Sequence, residues 1–310
     1  MIVLAAKRLV AMLLIMLVVS FILFSLFEAD KMAVAGKVLG PYSSIEQREI
    51  WLSQNGYDEP FLSRYTQWVG GALHGDFGDS LQYKVPVSEL LADRLKNTGI
   101  LALIFFLIMI PLSLTLGVLA GMKEGSWLDR IISIFSVLTT SIPEFVTATF
   151  LTGLFVYTWQ LLPGTSSMTG GFSWQEMILP VMVLVIYDFG YVTRMTRASM
   201  AEVMTSQYIR TAILKGLPYK RVIMRHALRN ALIAPFTVIV LQLNWLLSGL
   251  VVVEVFFAYK GFGSLLVDAA LFGDIYVIEA CVMVAVFIAV FSQFISDIGY
   301  TLLNPRIRFS

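Results

Sequence analysis

The sequence predicts an all-α membrane protein with six transmembrane helices, on the basis of its composition and its long uncharged runs. Of the 310 residues, 58% are hydrophobic and 14% are charged, whereas a soluble domain carries about 25% charged residues. Residues 9–27, 97–122 and 230–253 contain no charged side chain, and each run can cross a hydrocarbon core of about 30 Å as a helix. The runs lack the polar and apolar alternation of barrel strands, so helices are the structure that satisfies their backbone in lipid.

Hydropathy divides the chain into six predicted spans, at residues 8–28, 97–122, 130–160, 177–200, 231–256 and 277–303. Asp188, Glu279 and Asp297 interrupt the fourth and sixth spans. The first span is expected to be a retained helix, because it is longer than a typical signal core and no small-x-small cleavage site follows it. The single cysteine, Cys281, lies in an apolar run, so no disulfide framework is expected.

The distribution of basic residues predicts that both termini are cytoplasmic. Basic residues occupy the two ends of the chain, the loop between spans two and three, and the segment 194–229, where Glu202 is the only acidic residue. The loop between spans three and four has no Lys or Arg, and the loop between spans five and six has only Lys260. Every short loop therefore predicts the same orientation of the chain in the membrane.

Residues 29–96 form a predicted polar insert on the outer face, within a single transmembrane domain that covers 1–310. The run 43–46 is typical of a capping box at the start of a short helix, and Pro86 is suited to the first turn of another. In that second helix Val87, Leu90 and Leu91 recur at helical spacing, so we expect it to lie along the membrane surface before span two. The alternative is that the insert is a solvated connection.

The segment 201–230, here called the coupling loop, is basic and amphipathic. Gly216 and Pro218 break it into two short helical pieces, and Arg210, Lys215 and Lys220 lie outside its apolar stripe. The stripe consists of Tyr208, Ile209, Ala212, Ile213 and Leu217. A short helix with such a stripe can dock in a groove of a partner protein. The alternative is an ordinary cytoplasmic loop whose basic side chains snorkel at the lipid surface, although charge alone does not explain the stripe or the break.

Polar residues inside the spans are candidates for a translocation path. Asp188 lies near the middle of span four beside Tyr187, and a carboxylate at that depth costs at least a few kcal/mol unless it faces a cavity or a partner. Gln242 and Asn244 in span five are weaker candidates, because amides also serve as contacts between helices. Glu144 is a further candidate, although its position near a break favours a structural role. Asp188 has the same structural alternative.

Catalysis on this chain is not expected. His74 and His226 lie on opposite sides of the membrane in the predicted topology, and neither a His-Glu-x-x-His motif nor a Gly-x-x-x-x-Gly-Lys-(Ser/Thr) phosphate loop occurs. A secondary transporter or channel would predict paired mid-membrane charges or inverted repeats. An intramembrane enzyme would need a nucleophile and a base, or two carboxylates, at one depth. The sequence has one mid-span carboxylate, Asp188, without an evident partner, and this favours neither a secondary transporter or channel nor an intramembrane enzyme.

Six short motifs, in this order, resemble those of the dipeptide, oligopeptide and nickel family of ABC importer permeases, and in particular its first permease with a long outer insert. They are 74–80 (HGDFGDS), 117–121 (GVLAG) with Asp129 following, 141–145 (SIPEF), 194–200 (RMTRASM), Glu254 with 261–263 (GFG), and 304–308 (NPRIR). Each motif alone is a weak signal, but together they cover nearly the whole chain.

The resemblance implies a type I ABC importer permease fold in the bacterial inner membrane, forming half of a translocation pathway that works by alternating access. Residues 206–217 would dock on an ATPase subunit, and the residues implied are Tyr208, Ile209, Arg210, Thr211, Ala212, Lys215, Gly216 and Leu217. The implied partners are a second related permease, two ATPases that carry ATP and Mg, an extracytoplasmic substrate-binding protein and membrane lipid, but no nucleic acid. No cofactor or metal is implied on this chain.

Three departures from the family pattern lie on the predicted outer side. Residues 28–32 read EADKM where the family has Pro-Gly-Asp-Pro, Tyr259-Lys260 precedes Gly261 where a proline is usual, and 272–275 read FGDI in place of Arg-Asp-x-Pro. The departures leave the substrate open. Peptides are the first expectation, and opines, oligosaccharides, glutathione-like thiols and nickel chelates are the alternatives.

Overall fold

A computed structural model describes the backbone of residues 2–303 and the side chains of residues 9–242 and 250–295. Every regular element of that described part is a helix, which confirms the all-α prediction. The helices are α1 Ile2–Ala29, α2 Lys31–Leu39, α3 Ile45–Gln54, α4 Phe61–Leu73, α5 Val87–Met122, α6 Trp127–Ser141, α7 Glu144–Thr152, α8 Trp174–Met204, α9 Gln207–Leu214, α10 Tyr219–Arg221, α11 Leu228–Ala231, α12 Ile233–Phe256, α13 Phe262–Phe272 and α14 Ile275–Leu303. Two π-helical turns, Gly153–Thr158 and Val222–Ala227, follow α7 and α10.

The membrane spans agree in place with the six that hydropathy predicts. Four helical stretches are long and apolar enough to cross a membrane, namely Leu9–Ala29, Val87–Met122, Trp174–Met204 and Ile275–Ile295. Two bent pairs raise the number to six if each pair is one span: Trp127–Ser141 with Glu144–Thr158, and Tyr219–Ala231 with Ile233–Gln242. The third span is therefore a broken helix, whereas the predicted fifth span corresponds to the continuous helix α12, with a 48° bend between Ala231 and Ile233 at its start.

The third span differs from its prediction, because the chain bends by 100° between α6 and α7 where an uninterrupted span over 130–160 was expected. Pro143 causes the break, since proline has no N–H to donate and disfavours helical dihedrals in the residue before it. Ile142 accordingly is extended, with φ −96° and ψ 124°. This proline is part of the SIPEF motif, so the sequence contained the signal for a break at this position.

The predicted surface helix before span two is wrong as a separate element. Val87 opens one continuous helix of 36 residues that runs through to Met122, because no helix breaker stands between residues 87 and 110 apart from Gly99. Val87 and Leu91 are buried against Phe262 and Leu265. Their helical spacing therefore reflects packing against α13 within the protein, and not contact with the membrane surface.

The predicted capping box exists one residue further along the chain. Ser44, and not Ser43, caps α3: its Oγ accepts a hydrogen bond from the Gln47 backbone N–H at 3.2 Å. The Gln47 side chain accepts in return from the Ser44 N–H at 2.9 Å. Glutamine serves this reciprocal arrangement as well as glutamate does.

The described residues fall into two compact units. The insert unit comprises residues 2–98 and 260–294, and the central unit comprises 99–259 and 295–303. The core of the insert unit joins the start of α5 to α13 and α14 through Val87, Leu91, Phe262, Leu265, Ala269, Val277, Ala280 and Cys281. The core of the central unit is built around α8, which packs against α6, α7 and α12.

Two glycines of α5 allow that helix to approach α8 closely. A Cβ on Gly117 would lie 2.4 Å from the Cβ of Thr196, and one on Gly121 would lie 2.5 Å from the carbonyl oxygen of Arg197. Contacts this short are incompatible with any side chain unless the helices move apart. Small residues at helix crossings are the usual means of close packing in membranes.

We expect Gly117→Ala to destabilise the chain by about 1–3 kcal/mol, because the added methyl group overpacks the contact of α5 with α8. Gly99→Ala is the matched control, since a Cβ at Gly99 meets no atom within 4 Å and alanine favours a helix by about 1 kcal/mol over glycine. Thermal unfolding in detergent measures both variants. Equal unfolding midpoints for the two would contradict the close approach.

Candidate functional site

The coupling loop is built from a helix, a glycine turn and a second helical segment. Helix α9 ends in a Schellman motif: the Gly216 N–H donates to the carbonyl of Ile213 at 2.9 Å, and the Leu217 N–H donates to the carbonyl of Ala212 at 3.3 Å. This motif needs a left-handed residue at its centre, and Gly216 has φ +73°. Pro218 follows and cannot continue the helix. The predicted break at Gly216 and Pro218 is therefore present.

The inner face of α9 is buried against the chain itself. Ile209 is 0% exposed and Ala212 is 7% exposed, and they share a cluster with Met200, Val222, Ile223, Ala227 and Ala231. Val118, Met122 and Leu217 pack on the edge of this cluster. The cluster holds α9 against the ends of α5 and α8.

The outer face of α9 carries Tyr208 and Ile213 of the predicted stripe, together with Leu214, which the predicted stripe did not include. Leu214 is 79% exposed, Ile213 is 49% exposed, and Arg210, Thr211 and Lys215 are also exposed. Tyr208 is half-exposed, and its hydroxyl accepts a hydrogen bond from Asn230 at 3.0 Å. The predicted stripe is thus divided. Residues Ile209, Ala212 and Leu217 position the helix, whereas Ile213 and Leu214 form an apolar surface that no described part of the chain covers.

An ion pair that the sequence analysis did not identify joins α6 to α8. Arg197 donates to both oxygens of Asp129, from Nε to Oδ1 at 2.9 Å and from Nη2 to Oδ2 at 2.8 Å. The Gly125 N–H donates to Oδ2 at 2.8 Å and the Ser133 hydroxyl donates to Oδ1 at 3.2 Å. Asp129 is only 3% exposed. Both residues stand in motifs of the resemblance, but motifs separated in sequence do not reveal that their members pair.

A polar cavity of about 210 Å³ lies in the central unit, and we call it the central cavity. Its lining residues come from α6, α8 and α12: Thr140, Tyr187, Asp188, Tyr191, Arg194 and Gln242. Three of the predicted path residues, Asp188, Tyr187 and Gln242, thus meet at one place. Thr140, Tyr191 and Arg194 are lining residues that sequence reasoning missed, although Arg194 stands in the RMTRASM motif.

Asp188 is the most buried charge of the central cavity, at 3% exposure. Its Oδ1 accepts a hydrogen bond from the Gln242 side chain, whereas its Oδ2 has no hydrogen-bond partner among the described residues. Arg194 donates to the Thr140 hydroxyl at 3.4 Å, and its Nε has no partner there. Two residues that line the cavity thus have a buried polar atom without a hydrogen-bond partner among the described residues: one carboxylate oxygen of Asp188 and the Nε–H of Arg194.

Two further path candidates are placed differently. Glu144 is buried at the start of α7 and is close enough to Asp188 to interact with it electrostatically, but it does not line the central cavity. The side chain of Asn244 lies outside the described residues, although its backbone belongs to α12. The motif at 304–308 also lies outside them.

These features are those of a helical, multi-pass membrane protein with a broken third span, a polar cavity between α6, α8 and α12, and a structured loop between α8 and α12. Residues 113–309 match the family of binding-protein-dependent transport system inner membrane components, and the chain belongs to this family of ABC importer permeases. Members of the family act in the bacterial inner membrane with ATPase and substrate-binding partners. The family, the helical multi-pass fold and the inner-membrane location expected from the sequence are confirmed, and the orientation of the termini stays a prediction.

Relatives of known name match almost the whole chain. The oligopeptide transport system permease protein AppB of Bacillus subtilis is 33% identical over 299 residues, which are 94% of each chain. The glutathione transport system permease protein GsiC of Shigella flexneri is 31% identical over 303 residues, which are 98% of each chain. Both names describe permeases, and neither describes an enzyme.

We expect Asp129→Asn to destabilise the chain by about 2 kcal/mol or more, because it leaves the Arg197 guanidinium without its buried partner. Glu124→Gln is the matched control: Glu124 also contacts Arg197, at 3.3 Å, but is 57% exposed, and exposed pairs contribute about 0–1 kcal/mol. Thermal unfolding in detergent compares the two. A control that unfolds as readily as Asp129→Asn would show that the buried pair does not join α6 to α8.

Proposed function

We propose that this permease carries peptides, or a closely related small solute with amide and charged groups, through the central cavity. The observation that carries the proposal is that Asp188 and Arg194 line one cavity, and that each has a buried polar atom without a partner among the described residues. A peptide presents N–H donors and carbonyl or carboxylate acceptors at short spacing, and it can satisfy both residues. The names of the oligopeptide and glutathione permeases above support this class of substrate.

The outer face of α9 is proposed as the surface that docks on an ATPase subunit. Ile213 and Leu214 are apolar and exposed, Arg210 and Lys215 surround them with positive charge, and such a centre with a charged rim is typical of interfaces. Tyr208 and Thr211 lie on the same side. Ile209, Ala212, Gly216 and Leu217 contribute by fixing the helix in place, so that a force on α9 is transmitted to α8.

The complete transporter is proposed to contain this chain, a second related permease, two ATPases that hold ATP and Mg, and an extracytoplasmic binding protein. The basic loops support an orientation with both termini and the coupling loop in the cytoplasm. The insert 29–96 then lies outside and is available to the binding protein. ATP binding and hydrolysis would shift the helices between two arrangements, which is alternating access.

We expect Leu214→Ser to weaken the association with the ATPase subunits about tenfold or more, because a buried leucine contributes about 1.5–3 kcal/mol. The variant should unfold at the same temperature as the wild type, since Leu214 is 79% exposed within the chain. Leu271→Ser in α13 is the matched control, with the same 79% exposure. Copurification of the ATPases and ATP-driven uptake in proteoliposomes measure the effect. Wild-type coupling in Leu214→Ser would refute this docking face.

We expect Asp188→Asn to change relative uptake rates across a set of peptides, with losses of about tenfold for those whose N–H groups the carboxylate accepts. A double-mutant cycle with Gln242→Leu is measured on both stability and uptake. The hydrogen bond between the two residues gives non-additive effects on stability in either case, whereas non-additive effects on the relative uptake rates indicate a shared ligand. Uptake by the reconstituted transporter is the measurement. If stability falls while the relative rates stay as in the wild type, Asp188 is only a contact between α8 and α12.

A further inference from the structure

A second cavity, of about 280 Å³, lies wholly within the insert unit, and we call it the insert cavity. Helices α1, α4 and α14 contribute to it, together with the loop after α3 and the loop around residues 76–78. Its walls are largely aromatic, with Phe24, Phe27, Tyr57, Trp68, Phe77 and Tyr276. The HGDFGDS motif contributes Asp76, Phe77 and Gly78 to this cavity, but the proposed path through the central cavity does not include it.

Glu279 is a buried carboxylate of the insert cavity that has no hydrogen-bond partner among the described residues. It is 1% exposed, and neither of its carboxylate oxygens accepts a hydrogen bond from a described residue. Buried carboxylates are ordinarily hydrogen-bonded and paired, because removing the charge from water costs several kcal/mol. Arg64 interacts with Glu279 only through space. A ligand that donates hydrogen bonds would satisfy this residue.

Arg64 is already engaged by other groups of the insert cavity. It forms an ion pair with Glu28, whose other oxygen lies 2.5 Å from Lys31. The Arg64 guanidinium also lies 4.5 Å from the centre of the Tyr57 ring and 5.7 Å from that of Phe24. Burial raises the pKa of the Tyr57 phenol well above its usual value, so Tyr57 stays neutral beneath the guanidinium. Glu28 is therefore satisfied, and Glu279 is not.

Trp68 adds an unpaired donor to the same cavity. Its indole Nε1 is buried and has no hydrogen-bond partner among the described residues. The cavity thus combines two acceptor oxygens with one donor N–H. A ligand that matches them carries an N–H donor group with an oxygen acceptor near it.

The charge and the walls of the insert cavity favour an organic cation. Four carboxylates line it, from Glu28, Glu59, Asp76 and Glu279, against the single guanidinium of Arg64. Aromatic faces attract ammonium groups. The described residues contain no cluster of three or more His, Cys, Asp or Glu able to hold a metal ion. The volume lies near the lower end of small-molecule pockets, which are about 300–1,000 Å³.

We propose that the insert cavity binds the primary ammonium group of a small ligand, with Glu279 as its acceptor and Trp68 as the donor to a neighbouring ligand oxygen. Two sources share this chemistry, namely a soluble peptide with a free amino terminus and a lipid with an ethanolamine headgroup. An adjoining apolar cavity of about 370 Å³, which also contacts Trp68 and Phe77, has the character that an acyl chain requires. The site is independent of the proposed substrate path.

The test is a binding measurement on the purified full chain in phosphatidylglycerol nanodiscs. Isothermal titration calorimetry compares dialanine with N-acetyl-dialanine, which lacks the ammonium group. Native mass spectrometry compares retention of phosphatidylethanolamine with that of phosphatidylcholine, whose quaternary ammonium has no N–H. Selective binding of dialanine that depends on Glu279 identifies the soluble source, and selective retention of phosphatidylethanolamine that depends on Glu279 identifies the lipid source.

Glu279→Gln should weaken the selective binding at least about tenfold, because a hydrogen bond to a charged group is replaced by a neutral one. Trp68→Phe keeps an aromatic ring but removes the indole N–H donor, and it should weaken the selective binding several-fold. Glu59→Gln is the matched control, since Glu59 lines the same cavity but is exposed and accepts a hydrogen bond from Gln67 at 3.0 Å.

The proposal is overturned if neither primary amine binds, if the acetylated or quaternary analogue binds equally well, or if Glu279→Gln and Trp68→Phe bind as Glu59→Gln does. None of these results depends on ATP-driven uptake. Failure of the insert site is therefore distinguishable from failure of the proposed peptide transport.

Discussion

The close packing of α8 against α5 and α6 is the interaction on which the central unit depends. Gly117 and Gly121 let the α5 backbone approach α8, and the Asp129–Arg197 ion pair fixes α6 to the same stretch of α8. Apolar burial alone gives little preference between helix faces in a membrane, because lipid is as apolar as leucine. Short backbone contacts and one buried ion pair supply the specificity that apolar side chains do not.

This packing makes α8 the physical connection between the central cavity and the coupling loop. Asp188 lies on α8, and the stretch of α8 from Asp188 to Met204 extends about 24 Å at the helical rise. Only Thr205 and Ser206 separate α8 from α9. Since Ile209 and Ala212 pack against Met200, a displacement of α9 must either move α8 or open that buried cluster. The loop can therefore act on the cavity without any flexible connection.

The sequence predicted the helices better than it predicted which helix faces are buried and which residues form ion pairs. Long apolar runs located the six spans, because a lipid core requires helices of a minimum length. The stripe of α9 was recognised, yet periodicity does not say what covers an apolar face, and half of the stripe is covered by the chain itself. In the same way, the helical spacing of Val87 and Leu91 did not show that the protein itself covers these residues. Asp129 and Arg197 were both noted, but 68 residues separate them, and only the fold brings them together.

The first and third departures from the family pattern share a location in the structure. Glu28, from the first departure, and Ile275, from the third, both line the insert cavity. Asp274, also from the third, is buried and accepts hydrogen bonds from the Ser80 hydroxyl at 2.6 Å and the Gln82 N–H at 3.0 Å, which anchors the loop that follows the HGDFGDS motif to the start of α14. Residues scattered over almost 250 positions of sequence thus shape one unit.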